Sequence, residues 1–329
     1  MKALVLVGKN VPLAFEDVEK PSVFPPSGGL RGEVEIVELK AAALNHRDVF
    51  IQKGLYAGIK FPTILGSDGA GTTADGREVV INPLTNWGDD PRVQSKNYKI
   101  LGLPDDGTFA EFIAVESQYL APKPVHLNFA EAAALPLAGL TAWRALFTKC
   151  QPLAGDRVLI TGIGGGVALF ALQFAIAAGF ETWVTSSSEE KIEKAIALGA
   201  KGGFNYTSET WAKDATTATS GFDCIVDGAG GTGFADLIKV AKPAARLCFY
   251  GGTAGVLSGI NPPAIFYKQL IIMGSTMGSP SEFAAMLAFI EENEIFPVVD
   301  SVFDLADGNA ALQRMDEGKQ FGKIILKII

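Results

Sequence analysis

Four glycines fall within five residues at Gly162-Ile163-Gly164-Gly165-Gly166. An apolar run, Val158-Leu159-Ile160, precedes them, and an apolar, helix-compatible run from Val167 to Ala178 follows, with Gly179 placed to end it. That order is strand, turn, helix. Residues without side chains let a backbone approach a pyrophosphate, and the first turn of a helix offers N–H groups at the positive end of its dipole. Gly162, Gly164, Gly165, Gly166 and Val167 are therefore candidates for holding a dinucleotide. A glycine cluster alone is only a flexible turn. The flanking strand and helix, and the further strand–helix units after them, give it the phosphate-cradling meaning.

The next strand, Thr182–Thr185, bears on which dinucleotide. A turn that selects NAD carries Asp or Glu at this strand's end, to bind the ribose 2′-hydroxyl. Here Ser186-Ser187-Ser188 follows, with Ser186 at the acid's expected place. A missing carboxylate removes repulsion against a 2′-phosphate, and Lys191 is near enough in sequence to pair with one. These residues favour NADPH. Glu189 and Glu190 weigh the other way unless they serve the helix dipole, and the alternative for Lys191 is a solvated helix face.

The elements that must carry these residues are legible along the chain. Residues 1 to about 125 are β-rich and irregular. Met1–Val7, Val34–Val37, Glu78–Ile81 and Phe109–Val115 are expected strands, with a loop at Pro21, Pro25, Pro26, Gly28 and Gly29 and a turn at Asp105-Asp106-Gly107. From about 126 short apolar runs alternate with helices. Asn128 with Glu131, Ser187 with Glu190, and Ser279-Pro280-Ser281-Glu282 have the spacing of helix capping boxes. Phe222–Asp227, Arg246–Tyr250 and Leu270–Met273 add strands, and Lys323–Ile329 closes the chain. Strands alternating with helices predict a doubly wound parallel sheet.

The chain has 329 residues, enough for two domains, with 48% hydrophobic and 19% charged residues. Net charge is −8 without a dense Lys/Arg cluster, which disfavours nucleic acid or an anionic membrane as partner. The apolar start is too short for a signal peptide, and the longest apolar helix is too short to span a bilayer. Cys150, Cys224 and Cys248 lie far apart in sequence and read as buried free thiols in a reducing cytoplasm.

Six segments, in this order and spacing, resemble the medium-chain dehydrogenase/reductase superfamily over essentially the whole chain. They are Ala43-Leu44-Asn45-His46-Arg47-Asp48, Leu65-Gly66-Ser67-Asp68-Gly69-Ala70-Gly71, Gly139-Leu140-Thr141-Ala142, the glycine turn, Gly274-Ser275-Thr276-Met277-Gly278, and Phe321-Gly322-Lys323-Ile324-Ile325-Leu326. The resemblance implies a GroES-like distorted β-barrel catalytic domain over residues 1–125 and 278–329, a Rossmann dinucleotide-binding domain over 126–277, and a nicotinamide between them. Zinc-dependent alcohol dehydrogenases of this superfamily have Cys where Asn45 stands and His-Glu where Ser67-Asp68 stands. The segment from Asn82 to Phe112 also lacks the cysteines of their structural zinc lobe. A catalytic zinc needs about three protein ligands, and Asp68 alone survives as one. His46 with Asp48 is a structural pair rather than a metal site on this reading, and His126 is a linker residue. The chain is thus similar to the zinc-free, quinone-oxidoreductase-like branch, whose members transfer hydride from a reduced nicotinamide to a quinone or an α,β-unsaturated carbonyl.

Matching that branch residue by residue assigns Asn45, Asp48 and Tyr56 to the reaction site. A neutral amide or phenol can bond a carbonyl oxygen as it gains charge, and Tyr56 could deliver a proton. Phe50 stands where a second phenol is found in the branch. Thr141 matches the threonine that packs on the nicotinamide, Gly251 ends a strand at the cofactor edge, and Lys323 is placed to reach the cofactor phosphate. The structural alternatives are a loop anchor for Asn45, a helix cap for Asp48, a cleft wall for Tyr56 and an exposed strand end for Lys323. The stretch Phe266–Met273 resembles the family's edge strand, which pairs across a two-fold axis, so a homodimer is expected. An alcohol- or aldehyde-type carbonyl reductase, or an NADPH-binding protein without turnover, are the competing functions.

Overall fold

The computed structural model describes residues 1–23 and 32–328, so the expected loop positions Pro25, Pro26, Gly28 and Gly29 lie outside the described residues. The chain divides into two units, Met1–Leu140 with Gly278–Ile329, and Thr141–Met277.

The second unit is built on six parallel strands. In spatial order they are Gly202–Asn205, Glu181–Ser186, Arg157–Ile160, Phe222–Asp227, Ala241–Phe249 and Ile271–Gly274. The first strand in sequence is central and the order reverses beside it, the doubly wound pattern whose ligand crevice opens at the strands' carboxyl ends. Val158, Leu159 and Ile160 are fully buried, as a central strand covered on both faces requires. The helix Gly166–Ala177 buries Leu169, Phe170, Leu172 and Phe174, and Gly179 (φ +82°) ends it. The next helix begins one residue later than the serine spacing predicts. Ser188, not Ser187, is the N-cap, and its hydroxyl accepts from Lys191 N–H at 3.4 Å. The three cysteines are buried and free, and the Cys150 thiol donates to Ile225 and Arg246 carbonyls, on the strands that carry Cys224 and Cys248.

In the first unit Val34–Ala43 pairs with Asp68–Thr73 on one edge, and with Phe112–Glu116 and Lys323–Lys327 along the other. A smaller sheet of Ala14–Asp17, Lys2–Leu6 and Thr63–Ile64 packs into the same core, which holds Leu4, Leu6, Leu39, Leu44, Ile51, Leu65 and Phe109. The strand expected from Phe109 starts at Phe112, because the Phe109 carbonyl is taken by Leu4 N–H at 2.8 Å and its N–H by the Leu65 carbonyl. Residues 126–140, placed with the later domain by the texture of the sequence, belong to this unit. The helix Phe129–Ala134, capped by Asn128 with Glu131, packs its buried alanines on Val34–Ala43, Asp68–Thr73 and Lys323–Lys327. Two devices set the entry into that last strand. Arg314 makes a two-pronged pair with Asp300, whose carboxylate also accepts Phe321 N–H at 2.9 Å. Gly322 follows at φ +126°, where a Cβ would sit 2.3 Å from the Val298 carbonyl. Among the described residues no helix is long and apolar enough to cross a membrane.

Candidate active site

Strand Val34–Ala43 delivers Asn45 to the N-terminus of the helix His46–Gln52 in extended conformation, φ −131° and ψ 153°. Its backbone N–H donates to Asp48 Oδ2 at 2.8 Å. Asp48 therefore closes the helix start, and with no solvent exposure it stands behind Asn45 rather than facing an acceptor. The pairing of His46 with Asp48 read from sequence is replaced by this cap. Burial pushes the Asp48 carboxyl up to about 6, against the opposing pull of Arg47 and the Asn45 N–H. Its Oδ1 has no hydrogen-bond partner. His46 stands at the surface, yet local desolvation and then the Lys323 charge lower its pKa.

The Asn45 side chain is held at both ends. Nδ2 donates to Asp68 Oδ2 at 2.9 Å, and Oδ1 accepts from Lys323 Nζ at 2.8 Å. Lys323 Nζ also donates to Asp68 Oδ2 at 2.9 Å and to the Leu44 carbonyl at 2.8 Å. Asp68 Oδ1 accepts Leu137 N–H at 2.8 Å. Lys323 is 3% exposed. Its three donors are satisfied inside the first unit, so the cofactor-phosphate role expected for it is corrected. The side chain points into the polar cluster instead, because a buried ammonium must go where its acceptors are. Beside this set, Arg47 Nη1 donates to Ser67 Oγ at 2.6 Å and to the Leu101 carbonyl at 2.7 Å, and the Ser67 hydroxyl also donates to that carbonyl at 2.8 Å. Tyr56 is 40% exposed, and its ring centroid lies 5.7 Å from the Arg47 guanidinium carbon. The structure thus joins Asn45, Asp48, Asp68 and Lys323 directly, and places Tyr56 beside Arg47, which bonds Ser67 and the Leu101 carbonyl instead of that cluster. A cavity of about 560 Å³ in this unit shares Leu101 with the cluster but is not lined by Asn45 or Tyr56.

In the second unit the glycine turn has the open backbone a phosphate needs. Gly162 (φ +63°) is exposed, and a Cβ there would meet nothing within 4 Å; one on Gly165 would meet only the Gly162 carbonyl at 4.0 Å. Gly165 caps the helix with Gly166 and Val167 half-buried behind it. Gly164 (φ +118°) is different: the Lys191 side chain lies across it, with Nζ 3.3 Å from where a Cβ would stand. Lys191 is therefore at the turn, not on a remote helix face. Ser186 ends its strand buried, its hydroxyl accepting Ser188 N–H at 3.2 Å. Gly251 has a packing reason for its identity, since a Cβ would lie 2.4 Å from the Gly228 carbonyl. Thr141 Oγ1 donates to Met277 Sδ at 3.9 Å.

Sequence reasoning missed Asp227 and the joint role of Asp68 and Lys323. Asp227 sits buried at the carboxyl end of its strand, where Oδ1 accepts the Thr161 hydroxyl at 2.5 Å and Oδ2 accepts Gly230 N–H at 2.8 Å. The available signal was a charge at the end of an apolar strand: Asp227 after Ile225-Val226, and Lys323 before Ile324-Ile325.

Residues 31–125 match the family described as Alcohol dehydrogenase GroES-like domain, and residues 166–292 the family described as Zinc-binding dehydrogenase. The chain is 36% identical to a Zinc-type alcohol dehydrogenase-like protein, YogA, of Leptosphaeria maculans, over 96% of this chain and 95% of that one. It is 28% identical to a Quinone oxidoreductase of Pseudomonas aeruginosa, over 88% and 90% of the two chains. A crystal structure titled NAD-dependent alcohol dehydrogenase superposes with TM-score 0.93 at 35% identity, covering 100% of each chain.

The elevated Asp48 carboxyl makes a prediction about stability. A folded pKa of about 6 against an ordinary 3.8 means the native state is favoured while Asp48 is protonated and loses that contribution as pH rises through 6. Asp48→Asn keeps an acceptor for Asn45 N–H and cannot ionise. Relative to the wild type, its unfolding free energy should rise by on the order of 2 kcal/mol between pH 4 and pH 8. Parallel denaturant titrations at the two pH values measure this. A constant difference between the proteins means Asp48 does not titrate in that window.

Proposed function

Since the chain belongs to the medium-chain dehydrogenase/reductase superfamily of oxidoreductases, we propose that it is a zinc-independent, NADPH-dependent reductase of quinones or α,β-unsaturated carbonyl compounds. One observation carries the reading: Asn45 and Asp68 are both bonded to the Lys323 ammonium, and Ser67 to the Arg47 guanidinium. The positions where zinc-dependent members keep ligands are turned toward cations of the protein's own. Among the described residues, no group of three or more His, Cys, Asp or Glu could hold a metal.

Without a metal, developing charge must be met by the protein's own hydrogen-bond donors. Asn45 keeps one Nδ2 hydrogen beyond its bond to Asp68, which suits the oxygen of an acceptor carbonyl as it becomes anionic. Tyr56, exposed where Arg47 lies over its ring, supplies the proton that completes reduction. Asp48 stays behind Asn45 and orients it. The name Quinone oxidoreductase carried by the Pseudomonas relative supports the acceptor class.

The cofactor reading rests on fit. The open Gly162–Gly165 backbone and the first turn from Gly166 suit a pyrophosphate, and Lys191 across Gly164 with Ser186 in the acid's place suits a 2′-phosphate. Thr141 completes the set, whereas Gly251 is accounted for by its packing on the Gly228 carbonyl. Bound NADPH supplies the hydride. A second reading, alcohol or aldehyde oxidoreduction with NAD, is favoured by the alcohol dehydrogenase names of the relatives at 36% and 35% identity. A homodimer is supported by the edge strand Ile271–Gly274, with Ile271 half-exposed and Phe266 and Tyr267 exposed just before it (Tyr267 at 80%).

Protein with well under one zinc per chain by elemental analysis should oxidise NADPH with quinones or enones, and Tyr56→Phe should cut turnover by about 10- to 1000-fold with cofactor affinity kept. Good oxidation of simple alcohols, a required zinc and no turnover of any enone or quinone would favour the second reading. Lys191→Ala should weaken NADPH binding about tenfold and NADH binding far less, by fluorescence titration; a silent Lys191→Ala in a protein that prefers NADH refutes the phosphate contact. Light scattering at micromolar concentration should give twice the 34.7 kDa of one chain, and the single-chain mass refutes the dimer.

A further inference from the structure

An asparagine amide has two ends of like shape and opposite character: the oxygen accepts and the nitrogen donates. The protein places one cation and one anion against Asn45, at different ends. Lys323 Nζ donates to Oδ1 at 2.8 Å, and Asp68 Oδ2 accepts from Nδ2 at 2.9 Å. Turning the amide over would set its NH₂ against an ammonium and its oxygen against a carboxylate. Both contacts would repel, in a place almost without water to screen them. Neither partner can swing aside, since Lys323 and Asp68 bond each other at 2.9 Å and have side-chain exposures of only 4% and 0%. Lys323 also donates to the Leu44 carbonyl, and Asp68 also accepts the Leu137 N–H.

We propose that Lys323 is a positioning residue for carbonyl reduction, fixing the Asn45 amide so that its second Nδ2 hydrogen is the group offered to the acceptor's oxygen. Donation to Oδ1 also draws electron density from the amide and strengthens that N–H as a donor. Lys323 itself touches neither acceptor nor cofactor, and acts through Asn45. The inference rests on the reading of Asn45 as an acceptor contact, and it gives that reading its polarity: ligands with an acceptor oxygen are favoured there.

A double-mutant cycle on Asn45→Ala and Lys323→Met tests it, read as kcat and KM for an enone and as NADPH affinity by fluorescence. Lys323→Met should lower kcat by about 10- to 100-fold while NADPH affinity changes by less than about threefold. In the Asn45→Ala background the same substitution should cost almost nothing further, because its route is already gone. Equal losses in both backgrounds would make Lys323 a purely structural residue and overturn the proposal. An unchanged kcat in Asn45→Ala alone would instead sink the reading of Asn45, a separate result. Lys323→Met strands the Asp68 carboxylate in the interior, so the companion variant Lys323→Met with Asp68→Asn removes both charges and is compared at matched melting temperature. It should show the same loss of kcat, because two facing amides accept either orientation. Wild-type kcat in that neutral variant overturns the proposal.

Discussion

The ion pair of Lys323 with Asp68 is the interaction on which the first unit's buried polar cluster depends. Two buried charges cost several kcal/mol each to remove from water, and their attraction repays that only when every remaining proton and lone pair is met. Here the ammonium has Leu44 O and Asn45 Oδ1 besides Asp68, and the carboxylate has Asn45 Nδ2 and Leu137 N–H besides Lys323. These partners come from five places in the sequence: the end of the Val34–Ala43 strand, the cap of the next helix, the Asp68–Thr73 strand, the residues after Phe129–Ala134, and the last strand. Satisfying the charges therefore fixes where these segments meet. The Asp300–Arg314 pair and the close approach of Gly322 to Val298 serve the same end, by setting the register in which Lys323 enters its strand.

Glycine carries opposite meanings in the two halves of the dinucleotide turn region. Gly162 and Gly165 face open space, so their lack of a side chain leaves room for something not part of the chain. Gly251 presses on the Gly228 carbonyl, so its lack of a side chain lets two strand ends close. Sequence alone scores both as glycine at the carboxyl edge of a parallel sheet. What separates a cradle from a packing contact is whether the missing Cβ would meet solvent or backbone.

The same division between local and long-range information explains what could be read beforehand. Strands Glu78–Ile81 and Phe222–Asp227 and the caps at Asn128 and Ser279 follow from rules that act over a few residues, and the structure has them at those positions. Ser188 replaces Ser187 as the cap although Lys191, not a glutamate, stands three residues after it; the Ser188 hydroxyl accepts the Lys191 N–H without a reciprocal side chain. The Phe129–Ala134 helix joined the first unit through contacts with Lys323–Lys327, almost two hundred residues later in the chain, which no local pattern announces. Lys323 was misdirected for the same reason. A lysine opening an apolar strand reads as a solvent-facing end until Asp68, 255 residues away, is known to lie beneath it.

The absent ligand types at positions 45, 67 and 68 gain meaning from what replaced them. Changing a cysteine position to asparagine and a histidine position to serine would by itself leave polar side chains around an empty centre, which is costly in an interior. In this chain the centre is not empty. The Lys323 ammonium bonds both Asn45 and Asp68, and the Arg47 guanidinium bonds Ser67. A divalent cation would have to displace an ammonium from the one carboxylate in the set and then accept an amide and a hydroxyl, weak ligands that prefer harder ions than zinc. The lysine charge cannot act on a substrate as a metal would, because all its donors are spent on the protein. On the proposed reading its influence passes through the amide it holds, and an oriented, neutral hydrogen-bond donor does the work of a Lewis acid. Under that proposal such a donor suits quinones and enones, whose extended π systems spread the incoming charge and ask less of the site than a simple aldehyde does.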